Sequence, residues 1–511
     1  MKRQDRTVHE LPSFARYLNK VFDFRAAMAT IADARVDPEI SPSAVFLATF
    51  HGFVFRLRSF QQLEAEITHQ AFQNWIGAPR AFHDDVLRYS LCGFSLPPLE
   101  AMLVNVNRTL KRNKVFDEGR VQGRIVAALD GIEVLSSYSR CCDACLERRV
   151  SVRKNGVKVE QLQYHHRAVA CQIVRSPVKA VLAVEWLQPG ESEDAAALRL
   201  LDKLPTDYGS RFFDILLLDA LYAQAPALQC AATHGWDLVV SLKRNRPELY
   251  ASAVRLFAHR PPDLEFTETL RGKTYQGQIW DTPGLPSAAA DSPLVRVVRS
   301  EEKLTQNHYR RGKLQAETTE HEWMWLTTLD TQAFPPQVVR QLGHDRWKQE
   351  NNGWNDLTQN WSLKHGFLHA CRHRPSATAA ENPPSQPTAS ARGTETTAAG
   401  PQSAPAPEPH LTPPTPGTAT TEKITETTDA APQSAPDHEP HLIPNHGLMA
   451  VNLILMLAFN FCAAFTHCHS KLVRLYHLSS IEVARQLRVS VSKLPPRIRA
   501  PDSPAPQPRT I

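Results

Sequence analysis

The sequence has no glycine-rich phosphate loop, which argues against ATP use. Excess charge is scarce: the net charge is +6 over 511 residues. Its distribution says more than its sum. From Lys471 onward eight Lys or Arg stand against two acids, and the remainder is balanced with local basic clusters. That pattern suits a globular body with a basic tail and an anionic partner. Nothing at the start resembles a secretory leader, because MKRQDRTVHE is charged and no apolar run follows. The nine cysteines are scattered apart from Cys141, Cys142 and Cys145, so a reducing cytoplasm is expected. Only one apolar run approaches a membrane span, Leu448 to Phe465. It barely reaches the minimum length and carries Asn452 and Asn460, so a buried core helix is expected there.

Proline is abundant at 39 residues, and fifteen of these fall within 375–445 among Thr, Ala and Ser, with no aromatic residue. Nothing in that stretch can offset the entropy of ordering it, so a disordered insert is expected. PQSAP…EPHL occurs in it twice, at 401–411 and 432–442, which suggests local duplication of a linker.

The rest divides by hydrophobic period. Residues 1–118 carry apolar positions at helical spacing, as in AVFLATFHGFVFRLRSFQQLEAEI, and end in a basic face of Arg108, Lys111, Arg112 and Lys114. Residues 119–250 give three β-branched runs, GRIVAALDGIEVLSSYS, YHHRAVACQIV and KAVLAVEWLQ. Helix, strand, helix, strand follow, with FDILLLDALYA and WDLVVSLK as buried strands. That order predicts a mixed α/β sheet. Residues 251–330 predict a β-rich insertion of antiparallel strands, and helical character returns over 331–374. Apolar helices resume over 446–490, and a basic tail occupies 491–511.

Three acids stand out. Asp130 follows IVAAL and Asp219 follows DILLL, each succeeded by a small residue, Gly131 or Ala220. A carboxylate ending a buried strand is costly unless it is paired or binds a cation. Two on neighbouring strands would repel, and a divalent metal would relieve that. Glu350 lies in RWKQENNGWNDLTQNW. On an ideal helix it shares a core-facing stripe with Trp347, Trp354, Leu357 and Trp361. Arg346, one turn earlier, borders the stripe and can reach a carboxylate or a phosphate.

The DG after the first strand, LLLDALYA and RWKQENNGWNDL resemble the three acidic motifs of DDE transposases of bacterial insertion sequences, over roughly 40–370. The resemblance implies an RNase H-like mixed sheet flanked by helices, interrupted by a β-rich insertion before the last acid. Arg346 and Glu350 keep the Arg-x3-Glu part of the family's Tyr-x2-Arg-x3-Glu-x6-Lys signature. The tyrosine position is Gly343 and the lysine position Leu357, with Lys364 or His365 as candidate replacements. The resemblance implies two Mg²⁺ ions (Mn²⁺ substituting), about 3.5–4 Å apart, held by Asp130, Asp219 and Glu350. It also implies double-stranded DNA at element ends and in a target as partner, a homodimer in a synaptic complex, and a cytoplasmic, nucleoid-associated protein that uses no membrane. A derivative that binds DNA without cutting it, or an RNase H-like nuclease without strand transfer, would share most of these features.

Basic clusters near predicted turns are the other candidate DNA contacts, among them Lys243, Arg244, Arg310 and Arg311. Trp323 and Trp325 are expected in the core. CCDAC supplies Cys142-x2-Cys145, and His165 and His166 lie on the next predicted strand. A Zn²⁺ site on Cys142, Cys145 and His165 is the corresponding expectation, although zinc needs four ligands and only one Cys-x2-Cys is present.

Overall fold

The structure is a computed structural model that describes residues 10–154, 156–244, 246–270, 272–286, 294–310, 313–369, 446–469 and 479–491. The chain divides into two units, Met1–Arg374 with Ile443–Ile511, and Pro375–Leu442. The proline-rich stretch expected to be disordered and the basic tail beyond Val491 lie outside the described residues.

The described residues of the first unit open with seven helices: α1 (Glu10–Phe22), α2 (Phe24–Met28), α3 (Pro42–Val54), α4 (Phe60–Ile67), α5 (Gln70–Ile76), α6 (Asp84–Cys92) and α7 (Leu96–Arg112). Ser41 and Ser59 cap α3 and α4 by accepting the amides of Ala44 and Gln62, which satisfies donors that a helix start leaves orphaned. Helix α3 is apolar on nearly all sides and is buried accordingly.

Among the described residues, ten strands form one sheet: β1 (Val126–Ser137), β2 (Leu146–Lys154), β3 (Val157–Ile173), β4 (Val181–Trp186), β5 (Ile215–Leu218), β6 (Asp237–Ser241), β7 (Leu264–Leu270), β8 (Lys273–Pro286), β9 (Leu294–Arg310) and β10 (Lys313–Thr327). Strand β3 pairs antiparallel with β1 along one edge, and with both β2 and β4 along the other. Strands β5 and β6 run parallel to β1, reached through α8 (Glu193–Tyr208) and α9 (Ala225–His234). The core order β4-β3-β1-β5-β6 is a mixed sheet, antiparallel from β4 to β1 and parallel from β1 to β6. All four residues of β5 are buried, as expected for a parallel strand covered on both faces.

The basic stretch 147–158 supplies most of β2 and the start of β3, on either side of the turn that joins them. The β-rich insertion is no separate layer: after α10 (Pro247–Phe257) the chain makes β7 to β10, and β10 pairs antiparallel with β6, so the core sheet continues through it. Helix α11 (Pro336–Gln349) then returns across the sheet, followed by α12 (Asn355–Asn360).

Helix α13 (Gly447–Ala464) is the apolar run that approached a membrane span. It is long and apolar enough to cross one, yet 78% of its apolar window is buried within the protein. It packs on α3, α6 and α7, with Phe461 among Phe22, Phe24 and Phe50. Asn460, whose polarity argued for a core helix, accepts the Val181 amide at 3.0 Å and donates to the Val181 carbonyl at 2.9 Å. It thereby satisfies a backbone group at the first residue of β4.

Candidate active site

Two of the three acids converge because of register. In the parallel pair β1–β5, Leu129 lies opposite Leu218, so Asp130 and Asp219 are the next residues on neighbouring strands. Asp219 stands where β5 stops and opens a 3₁₀ turn at Ala220–Tyr222. Asp130 does not end its strand, as the sequence suggested: β1 runs on to Ser137, bulging between Glu133 and Leu135. Its continuation is paired by β3, which is why the apolar run could stop while the strand did not.

Arg346, buried on α11, places its guanidinium between them. Nη1 lies 3.4 Å from Asp130 Oδ2, and Nη2 lies 3.8 Å from Asp219 Oδ1. Neither is the short, paired geometry of a bidentate arginine–carboxylate contact, and among the described residues Arg346 Nε has no hydrogen-bond partner. Lys243 Nζ adds a 3.5 Å approach to Asp219, and the Gly131 amide donates to Asp130 at 3.0 Å. These partners do not offset the surroundings of Asp130. Burial, opposed by Arg346 but reinforced by the charges of Asp219 and Glu350, pushes its carboxyl up to about 6.

Glu350 is near enough for its charge to be felt at Asp130, but it is exposed and does not lie on the core-facing stripe. The reason is local. Helix α11 ends at Gln349, and Glu350–Trp354 is a π-helical turn. A wider turn shifts the helical phase for everything after it. Trp354, Leu357 and Trp361 are buried, whereas Glu350 is released from their stripe. Gln349, which the sequence reading overlooked, is fully buried and donates to the Ala170 carbonyl at 3.0 Å. Ala170 is the cross-strand partner of Asp130, so this bond fastens the turn bearing Glu350 beside the first acid.

A fourth acid was also missed. Glu193, in the first turn of α8, lies over Gly131, and a Cβ at residue 131 would overlap its carboxylate. Tyr222, three residues after Asp219, donates to Glu193 at 2.9 Å, and Arg167 pairs with it at 2.5 Å. The small residue after the first acid leaves the room that the Glu193 carboxylate occupies, the one signal in the sequence that pointed this way.

The other candidates divide. Lys243 reaches Asp219; Arg244 and Lys364 are exposed. Arg310 ends β9, its side chain outside the described residues, as is all of Arg311. Arg108 and Lys111 donate to the carbonyls of Asp207 and Arg211 within the fold. Trp325 is buried and Trp323 half-buried against Trp347. Gly343 touches the Trp325 indole so closely that a Cβ would overlap it, and Leu357 is fully buried. The family's tyrosine and lysine positions are therefore both committed to the core. The zinc expectation is corrected in one ligand: Cys142 and Cys145 meet His166 and His369, and His165 is not in the group.

No protein-family model and no curated protein matches the chain. Among solved structures it is similar to a piggyBac transposase synaptic complex with hairpin DNA, at 9% identity and a TM-score of 0.36, covering 98% of this chain and 84% of that chain.

Proposed function

We propose that the protein is a DDE-type transposase, cutting and joining DNA by metal-dependent phosphoryl transfer at Asp130, Asp219 and Glu350. The observation that carries this reading is a carboxylate pair on adjacent parallel strands facing one arginine at 3.4 and 3.8 Å. Such a pair is brought together without being neutralised by short contacts, a donor set suited to a hard divalent cation. These three residues would hold Mg²⁺, or Mn²⁺ in its place, whose chemistry when bound is to activate a water or 3′-hydroxyl and to offset charge on the scissile phosphate. Arg346 then has its guanidinium free for a non-bridging phosphate oxygen. Lys243, at the rim beside Asp219, is placed to hold the DNA backbone. Glu193 and Gln349 act through others, the first by fixing Tyr222 and the second by fixing the turn of Glu350.

The same reading gives double-stranded DNA at the ends of an insertion sequence as substrate, a dimer that pairs the two ends, and action on DNA in the cytoplasm. The N-terminal helices are the candidate end-binding region. Nicking of the DNA flanking the gene tests it. The wild-type chain is expected to cut at flanking inverted repeats in Mg²⁺, whereas Asp130→Asn, Asp219→Asn and Glu350→Gln bind without cutting. Normal cleavage by any of the three removes that residue from the site. The core-committed Gly343 and Leu357 favour a second reading, a derivative that grips DNA and does not cut. Specific binding with no cleavage by the wild-type chain in either metal would decide for it.

A further inference from the structure

Away from the acids, the connection between β1 and β2 carries a second cluster. The Sγ atoms of Cys142 and Cys145 and the Nε2 atoms of His166 and His369 all lie within 4.8 Å of one another. The two sulfurs are 3.7 Å apart, too far for a disulfide, whose S–S bond is about 2.05 Å. His166 Nε2 lies 3.3 Å from each sulfur, and His369 Nε2 lies 3.1 Å from Cys145 Sγ. A zinc ion at about 2.3 Å from sulfur and 2.0–2.1 Å from nitrogen, with tetrahedral angles, implies S···S edges of about 3.8 Å and S···N edges of about 3.5 Å. The observed edges match the first and fall a few tenths of an ångström short of the second. The Cys142 amide also donates to Cys145 Sγ at 3.2 Å, and the Cys145 amide to the Cys142 carbonyl at 3.0 Å. That tight turn orients both sulfurs and supplies a hydrogen bond to a ligand atom.

We propose that Cys142, Cys145, His166 and His369 bind one structural Zn²⁺ ion. Four protein ligands close the coordination shell and leave no position for substrate, which separates this site from the acids in kind. The ion would join three segments that are distant in the chain: the β1–β2 connection, β3, and the chain that follows the turn bearing Glu350. Its role is therefore to clasp the end of that segment to the sheet on which Asp130 stands.

The test is metal content of the full-length protein, expressed with zinc and washed free of loosely held ions. About one zinc per chain is expected. Cys142→Ser, Cys145→Ser, His166→Ala and His369→Ala should each lose it to background, and His165→Ala and Asp130→Asn should keep it. Where a variant fails to fold, the wild-type protein decides by itself. Exchanged with Co²⁺, it should show the visible bands of a tetrahedral ion and a thiolate-to-metal charge-transfer band. A wild-type chain that holds no zinc and gains no such bands overturns the proposal, as does full zinc retention in both His166→Ala and His369→Ala. Asp130→Asn retaining zinc while losing cleavage keeps this outcome separate from that of the acid site.

Discussion

Asp130 and Glu302 are both carboxylates within one continuous sheet, and their surroundings treat them in opposite ways. Glu302, on β9, receives both its oxygens' bonds from Arg340 at 2.9 and 3.0 Å, with His344 Nε2 at 2.9 Å and the Ser300 hydroxyl at 3.0 Å. Arg340 in turn lies 4.0 Å over the Phe266 ring and pairs with Glu268. Burial works against the Glu302 charge, but the hydrogen bonds from His344 and Arg340 outweigh it and hold the carboxyl down at about 2. Asp130 has an arginine too, yet at 3.4 Å and shared with Asp219. There burial prevails. The chain can therefore build a fully satisfied buried carboxylate, and at Asp130 it does not. A carboxylate left short of partners beside two others is what the proposed cation site calls for, and a satisfied ion pair is not.

The largest expected effect tests that difference directly. Asp130→Asn should lower cleavage by about three orders of magnitude or more, while thermal stability stays level or rises as like charges are relieved. Glu302→Gln should do the reverse. It leaves Arg340 buried without its main partner and should cost about 3–5 kcal/mol in urea unfolding at neutral pH, with cleavage per folded molecule retained. Equal destabilisation by the two variants would make Asp130 a structural ion pair and dissolve the comparison. Next in size is Gly131→Ala, whose added Cβ meets the Glu193 carboxylate. A loss of about 1–3 kcal/mol is expected, with cleavage falling as Glu193 and Tyr222 are displaced. An unchanged melting temperature would show that the Glu193 carboxylate is not held over that glycine by Tyr222 and Arg167.

What could be read ahead of the structure follows the same physical lines. Asp130 and Asp219 were legible because each follows an apolar run, and a parallel register does the rest. The alternation of strands and helices gave the core sheet for the same reason. The exposure of Glu350 was not legible, because a π turn in ENNGW changes the phase of a helix and no residue in it demands one. Glu193 was hidden as an ordinary first-turn acid of a helix. In the cysteine cluster the choice between His165 and His166 is a matter of strand parity, which a one-residue shift reverses. His369 lies 203 residues after His166, where spacing has no motif to offer.

The smallest expected effect concerns acid. The Glu302 carboxyl is held at about 2 in the fold against an ordinary 4.5. Between those values the unfolded chain binds the proton and the folded chain does not, so stability must fall as pH drops. The contribution of Glu302 is complete above its ordinary value and is lost as pH falls from about 4.5 towards 2. By about pH 3 the loss amounts to at most about 2 kcal/mol. Many carboxylates titrate in that range, so the wild-type curve alone cannot isolate one of them. The difference between wild type and Glu302→Gln can, since distant groups cancel in it. Urea unfolding of both chains should show a constant gap at about pH 6 that narrows towards about pH 3. Parallel curves across that range would mean that Arg340 and His344 do not hold Glu302 ionised, and the contrast with Asp130 would lose its reference point.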